Sequence, residues 1–516
     1  MNNSRRKNAT LNIVVGIVAQ VIILLLGFVG RRIFVQFLSA DYLGINGLYG
    51  NILSVLALAE LGLGNVTQFF LYKPVADNDT QKICALVKYF RKLYTIIALS
   101  VLGMGVALLP FLHLIVNSDL PQDALILYFL IFLLSSCVSY FAADKIALLA
   151  AHQDQRLIKY VALSVSGCLQ ILHIIVLLLF HNYTVYIVAT LAGSIANVMI
   201  INYICKKRYP YINKHVLPDN TIEKKLILEN VKSTFIYKIG ATIVNNTTSI
   251  LLSIIVSTAA VGIYSNYCMI VLGIQAFIAV ITTTLISGIG NLSASGDKKR
   301  LLAIFNTMLL VYNFIAIFGG VSFFLLLNDF ILIWLGSEYL LDNYSVFAIA
   351  FSFYITNAIS PVWMLREANG IFNKVKYLLL VTAVCNIVIS IILGKTWGLF
   401  GILLAPSIAR IVTQGWYEPH VLFRTLFDMS SFGYWKKQFL YLLISLLCVA
   451  VCCSFSLGTA AYQGFLFIFV KGIAFFVLCA MAYFVFSFKT EECGEIKRTA
   501  IQTADKLLGR IRANGV

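Results

Sequence analysis

Charged residues are scarce in this chain. Of its 516 residues, 12% are charged and 60% are hydrophobic, whereas a soluble globular domain averages about 25% charged and about 45–50% apolar residues. A water-soluble fold would have to bury this excess in a core too large for the remaining polar surface to cover. The composition therefore excludes an ordinary soluble domain and indicates that lipid surrounds the protein.

Metal-binding and catalytic patterns are also missing. The 11 cysteines lie mostly inside apolar runs without CxxC pairs, and the six histidines are scattered. We therefore expect no metal site. The chain also has no polar segment long enough for a catalytic domain and no cluster of carboxylates, so we expect it not to be an enzyme such as a polymerase or glycosyltransferase.

Long apolar runs fill the chain instead. A helix needs about 20 residues to cross the hydrocarbon layer, and the first run lacks the cleavage pattern of a signal peptide. We predict an all-α integral membrane protein with about fourteen transmembrane helices. They are placed at residues 10–38, 43–72, 88–116, 122–149, 157–180, 183–205, 233–257, 261–293, 301–327, 343–366, 375–394, 397–417, 437–457 and 463–488.

The basic residues fix the expected orientation. The net charge is +17, and lysine and arginine collect before helix 1, after the even-numbered helices and in the tail. The loops on the other side are short, and Lys395 alone breaks the pattern. Because cytoplasmic loops are enriched in Lys and Arg, both ends are predicted to be cytoplasmic. The charge thus indicates topology and attraction to anionic lipid, and no nucleic-acid partner is expected.

The two halves of the chain share short sequence matches. LAGSIAN at residues 191–197 matches LAPSIAR at 404–410 in five of seven positions, and LGI at 43–45 corresponds to VGI at 261–263. Further matches pair Ala151-His152 with Ala368-Asn369, and GLGN at 62–65 with GIGN at 288–291. Six helices separate the matched points, so the repeats are parallel. We predict two six-helix lobes around a central cavity, with alternating access.

The repeat also gives a domain plan. We predict an N-lobe, a cytoplasmic linker with an amphipathic helix near 222–231, a C-lobe, an appendage of helices 13 and 14, and an amphipathic cytoplasmic tail. These correspond to residues 1–206, 207–232, 233–422, 423–488 and 489–516.

The 6+6+2 layout resembles the polysaccharide (Wzx-type) flippases of the multidrug/oligosaccharidyl-lipid/polysaccharide (MATE-like) exporter superfamily. The likeness extends to a long first helix ending Gly30-Arg31-Arg32, to AELGLGN at residues 59–65, and to VGIYSNY at 261–267. The resemblance implies a multi-pass protein of the bacterial inner membrane. It further implies flipping of undecaprenyl-diphosphate-linked oligosaccharide repeat units to the outer leaflet for capsule, O-antigen or exopolysaccharide synthesis. Membrane lipid, a polysaccharide polymerase and a chain-length regulator are the other implied partners.

Positive charge within the predicted spans favours an anionic substrate, because charge inside the bilayer needs a compensating role. The candidates for binding the diphosphate are Arg31, Arg32, Lys238 and Arg410. The alternative explanation is snorkelling for Lys238 and interface anchoring for Arg31 and Arg32, whereas Arg410 is the deepest of the four. Lys471, in the appendage, is better explained by a lateral lipid contact or a structural ion pair.

Other residues are candidates for coupling and for movement. Glu60 is expected either to couple transport to H+ or Na+ or to balance the charge of an arginine; no other cofactor is expected. Gly30, Pro361 and Pro406 are candidate hinges, although membrane helices tolerate proline without a special role.

Two related functions remain as alternatives at the level of sequence. A peptidoglycan-precursor flippase would handle a lipid with the same diphosphate polyprenyl group. A MATE-type multidrug or cation antiporter would generally rely on acidic residues, and helix 1 contains no carboxylate.

Overall fold

The computed structural model describes residues 2–60, 63–213, 224–371, 374–375, 377–459 and 464–488, together with Gly494. Within these residues the fold is all-α, as predicted, with no β strand. The predicted cytoplasmic tail (489–516) lies almost entirely outside the described residues.

The described residues form 17 α-helices, several of which meet across short 3₁₀ or π turns. They are α1 Asn2–Phe37, α2 Ala40–Leu56, α3 Leu63–Ala76, α4 Thr80–Leu108, α5 Leu112–Ile115, α6 Gln122–Ser139, α7 Ala143–Ala151, α8 Gln155–Phe180, α9 Tyr183–Arg208, α10 Lys224–Ile255, α11 Thr258–Ala294, α12 Lys298–Trp334, α13 Asn343–Ala368, α14 Leu378–Arg410, α15 Trp416–Leu422, α16 Phe432–Gly458 and α17 Phe465–Ser487.

Eleven stretches of helix in the described residues are long and apolar enough to cross a membrane. They are fewer than the predicted spans because three regions are built differently. Predicted helix 2 is divided between α2 and α3, predicted helix 7 has only the shorter apolar stretch Thr242–Ile255 within α10, and predicted helices 11 and 12 are the two arms of α14. Gly398, with φ 60° and ψ −133°, makes the kink between these arms.

The predicted amphipathic helix of the linker is not a separate element. Its described residues, from Lys224 onward, form the first turns of α10, which continues without a break to Ile255. The chain divides into two compact units, Met1–Ser265 and Asn266–Val516, and the division falls within α11.

Local geometry repeats between the units, as the sequence matches predict. Asp79 accepts a hydrogen bond from Lys82 N at the start of α4, and Asp297 accepts one from Arg300 N at the start of α12, each at 2.9–3.0 Å. The residues before these caps, Asn78 and Gly296, both have positive φ. Aspartate is a favoured N-cap because its carboxylate satisfies a backbone N–H at the helix start.

The ends of α7 and α13 also correspond. His152 N donates to Leu148 O as Asn369 N donates to Leu365 O. Two residues later along the chain, Asp154 N donates to Leu149 O as Ile371 N donates to Arg366 O. Both turns pass through a residue with positive φ, Gln153 or Gly370. The same pairing of C-terminal bonds at a constant offset supports the internal repeat.

Two glycines of the repeated motif allow helices to touch within the first unit. A Cβ on Gly44 of α2 would overlap the carbonyl oxygen of Thr258 at the start of α11. A Cβ on Gly262 of α11 would overlap the carbonyl oxygen of Ala40. Only glycine permits this backbone-to-backbone approach, a packing mode typical of small residues between membrane helices.

Replacing either glycine by alanine should therefore destabilise the first unit by about 1–3 kcal/mol, the usual cost of overpacking a tight contact. The thermal unfolding midpoint of the purified protein in detergent would measure the loss. Gly50→Ala is the matched control, since Gly50 is an exposed residue of the same helix with nothing within 4 Å of its Cβ position. Equal midpoints for Gly44→Ala and Gly50→Ala would show that the contact does not contribute to stability.

Candidate functional site

Arg31 and Arg32, adjacent in α1, have different surroundings in the first unit. The Arg31 side chain is half-buried, and its Nη1 donates a hydrogen bond to Ser265 Oγ at 3.1 Å. Arg32 is exposed, as residues one position apart on a helix point in different directions. Arg31 is thus the better placed of the two to meet a ligand inside the protein.

Glu60 lies where a membrane helix is interrupted. It ends the 3₁₀ turn Ala57–Glu60, which follows α2 and precedes α3. A second interruption, the 3₁₀ turn Tyr140–Ala142, separates α6 from α7. Non-helical backbone at membrane depth is tolerated where it is buried in protein or lines a water-filled cavity.

The two interruptions are joined by side chains. The side chain of Tyr140 lies close to that of Glu60, and the buried Tyr94 of α4 is a second tyrosine near this carboxylate. Thr67 donates to Leu63 O at 2.7 Å and lies 3.5 Å from Tyr94 Oη. A carboxylate, two tyrosines and a threonine therefore gather at the discontinuity, and such groups can exchange a proton or coordinate a small cation.

Asp144 forms the neighbouring charge centre of the first unit. Its side chain is 2% exposed and accepts from Arg91 Nε at 3.0 Å, with Lys145 Nζ at 3.8 Å. Lys145 also donates to Phe141 O at 3.4 Å. The ion pair of Arg91 and Asp144 thus links α4 to α7, and Lys145 of α7 lies beside it.

Arg410 occupies the last position of α14 in the second unit. Its half-buried guanidinium donates from Nη1 to Thr356 Oγ1 of α13 at 2.7 Å. The π-helical turn Ile411–Gly415 follows directly, and π-bulges are frequent at functional sites. Within that turn the side chains of Thr413 and Gln414 form hydrogen bonds with the Thr382 hydroxyl at 2.7 and 3.2 Å. These hydrogen bonds stabilise the π turn.

The remaining predicted site residues are placed as follows. Lys238 lies within α10, but its side chain is outside the described part of the structure. A Cβ on Gly30 would make ordinary contacts with Gln170 and Ile174, and α1 continues through this position. Pro361 and Pro406 lie inside α13 and α14, and both helices continue beyond them. The roles proposed for these residues stay predictions.

Sequence reasoning missed a deeply buried ion pair of the second unit. Arg366 Nη1 of α13 donates to Glu418 Oε1 of α15 at 2.6 Å, and their side chains are 5% and 1% exposed. Glu367 Oε1 lies 3.7 Å from Arg366 Nη2. The available signal was opposite charges at the same ends of predicted helices 10 and 12, which belong to one predicted lobe.

The sequence of the chain matches a known protein family. The family model of the polysaccharide biosynthesis proteins matches residues 9–286, more than half of the chain. A search of curated proteins finds no match.

Solved structures share the fold at low sequence identity. The lipid II flippase MurJ, in an inward closed conformation, has a TM-score of 0.68 and 16% identity over 92% of this chain and 100% of its own. An inward-facing MATE multidrug resistance transporter of the MOP superfamily has a TM-score of 0.64 and 17% identity over 80% of this chain and 99% of its own. A point mutant of the Vibrio cholerae MATE transporter VcmN has a TM-score of 0.53 and 13% identity over 80% and 95%. The chain therefore has the fold of MOP-superfamily transporters.

The Arg366–Glu418 pair gives a prediction about stability. Arg366→Met or Glu418→Met alone should cost about 3–5 kcal/mol, since each leaves one buried charge without its counterion. The double variant should recover most of this loss, because it removes both charges. Thermal unfolding in detergent would compare the three variants, with Lys298→Met as the control for an exposed pair, in which Lys298 bonds Asp428 at 2.7 Å. Additive losses in the double variant would contradict the pairing.

Proposed function

Since the chain belongs to the polysaccharide biosynthesis protein family, we propose that it flips undecaprenyl-diphosphate-linked oligosaccharide repeat units from the cytoplasmic to the outer leaflet. The products would serve the synthesis of a surface polysaccharide. The proposal places the protein in the bacterial inner membrane, and a polymerase and a chain-length regulator would act with it.

The placement of two in-span arginines carries this proposal. Arg31 and Arg410 are half-buried, and each donates to a hydroxyl oxygen, of Ser265 and Thr356 respectively. The hydroxyl orients the guanidinium, while partial exposure leaves it within reach of a ligand. A guanidinium binds phosphate oxygens bidentately. We propose that Arg31 and Arg410 each bind the diphosphate at a stage of the transport cycle, while the polyprenyl tail stays in the lipid.

Arg32 and Lys238 belong to the same proposal as accessory cations. The exposed position of Arg32, beside Arg31, suits attraction of the head group to the protein more than tight binding. Cations near an anionic substrate raise its local concentration, an effect that weakens as salt increases.

Glu60 supports a coupled mechanism. Its carboxylate lies at an interrupted helix with Tyr140 and Tyr94 close by, and binding H+ or Na+ there would change the charge at the discontinuity. We propose that this change links transport to an ion gradient. The alternative, a charge-balancing role, would leave transport independent of the gradient.

The first test measures flipping directly. Protein is reconstituted in liposomes with fluorescent undecaprenyl-diphosphate oligosaccharide, and an external glycosidase reports substrate arriving in the outer leaflet. Arg31→Ala and Arg410→Ala should each slow flipping by about 10- to 100-fold, since a hydrogen bond to a charged group contributes about 1.5–3 kcal/mol. Lys298→Ala, a surface lysine, is the matched control and should flip at the wild-type rate.

Other outcomes would separate the rival functions. Wild-type protein that flips no faster than empty vesicles, with and without ion gradients, would contradict the flippase and turn attention to cation–drug exchange. Faster flipping of a peptidoglycan precursor than of the oligosaccharide lipid would identify the precursor, and not the oligosaccharide lipid, as the preferred substrate. Normal flipping by both arginine variants would contradict the proposed diphosphate contacts.

The second test concerns coupling. Wild type should flip faster under an imposed H+ or Na+ gradient. In Glu60→Gln the ratio of the flipping rates with and without the gradient should fall by about tenfold or more, while the rate without a gradient stays at the wild-type value. Glu338→Gln, at an exposed glutamate, is the control. Unchanged gradient dependence in Glu60→Gln would show that Glu60 does not couple transport.

A further inference from the structure

A cavity lies between α12 and the last two helices, α16 and α17, all within the second unit. Its volume is about 270 Å³. Apolar side chains form most of its described wall, among them Leu325, Leu332 and Phe467, and Asp329 and Lys471 are the charged residues among the described lining. Helix α12 belongs to the predicted C-lobe, whereas α16 and α17 form the appendage without a counterpart in the repeat, so the cavity lies between a repeated helix and the appendage.

The cavity lies near the helix ends that face away from the basic loops. Asp329 is five residues before Trp334, where α12 ends, and Lys471 is six residues after Phe465, where α17 begins. At 1.5 Å per residue these positions are about 8–9 Å from the helix ends. Residues this close to the end of a membrane-spanning helix are within reach of lipid headgroups.

Lys471 is unusually enclosed for a lysine in a membrane helix. Its side chain is 8% exposed, that of Asp329 is 44% exposed, and Lys471 Nζ donates to Asp329 Oδ2 at 3.3 Å. An ammonium group has three N–H donors. Asp329 is its one hydrogen-bond acceptor among the described residues, and Lys471 lines the cavity. A buried lysine at this depth calls for further acceptors.

We propose that this cavity binds the headgroup of a membrane glycerophospholipid of the phosphatidylethanolamine class. The lipid phosphate accepts hydrogen bonds from Lys471, and the lipid ammonium donates to the exposed side of the Asp329 carboxylate. An acyl chain then follows the apolar wall toward the bilayer centre.

Charge complementarity selects this class of lipid. The Lys–Asp pair is net neutral and presents one donor group and one acceptor group, which match a zwitterion carrying a phosphate and a primary ammonium. A phosphatidylcholine headgroup has no N–H to donate to Asp329. A phosphatidylglycerol headgroup brings a negative charge that Asp329 repels. The proposal is independent of the transported substrate.

Native mass spectrometry of the purified protein would test the site. Protein in detergent is mixed with phosphatidylethanolamine, phosphatidylcholine or phosphatidylglycerol of equal chain length, and the bound fraction is measured for each. Wild type should retain phosphatidylethanolamine about tenfold better than the other two, and Lys471→Met should lose about tenfold of that binding. Asp329→Asn should lose the preference over phosphatidylcholine.

Controls distinguish loss of binding from loss of fold. Lys471→Arg keeps a donor to the phosphate and should keep most of the lipid binding. Lys298→Met removes an exposed lysine from α12, the helix that carries Asp329, and should bind lipid as wild type does. Gel filtration and the thermal unfolding midpoint check that each variant is folded. Equal lipid retention by wild type and folded Lys471→Met would overturn the proposal, as would tighter retention of phosphatidylglycerol than of phosphatidylethanolamine.

Discussion

Backbone hydrogen bonding is the constraint on which the rest of this structure depends. In lipid each N–H and C=O must find its partner within the protein, so a spanning segment of this chain is helical. Two of the departures from regular α-helix occur beside polar side chains. One such place is the interruption at Glu60, which Tyr140 accompanies, and another is the π turn after Arg410, which Thr382 supports. Polar side chains therefore gather at these two interruptions of the helices.

The treatment of charge follows from the same low-dielectric surroundings. Asp144 is enclosed with Arg91, and Glu418 with Arg366, so these charges are compensated and serve stability. Arg31 and Arg410 are half-buried, and hydroxyl groups orient them. Some charged residues thus pair with an opposite charge and others contact a hydroxyl group of another helix, and composition alone does not reveal which partner each one meets.

The internal repeat explains why the same helix caps and helix-terminal turns occur twice. Asp79 and Asp297 cap equivalent helices, and α7 and α13 end in turns with matching hydrogen bonds. The charges have diverged more than the backbone. Arg410 stands where the other half has Asn197, and the sequence match at 191–197 and 404–410 is closest in its small residues. Close helix packing restrains small residues strongly, whereas larger polar side chains are free to change between the halves.

The sequence by itself determined the membrane class, the all-α fold, the repeat and the family, because hydropathy, the side preference of Lys and Arg, and short motifs are properties of local segments. Tertiary structure decided which opposite charges meet. Lys471 pairs with Asp329, 142 residues away along the chain, and Arg366 with Glu418, 52 residues away. It also decided that predicted helix 2 is interrupted at Glu60 and that helices 11 and 12 meet at Gly398. These features depend on which helix faces lie side by side, and no local pattern encodes that neighbourhood.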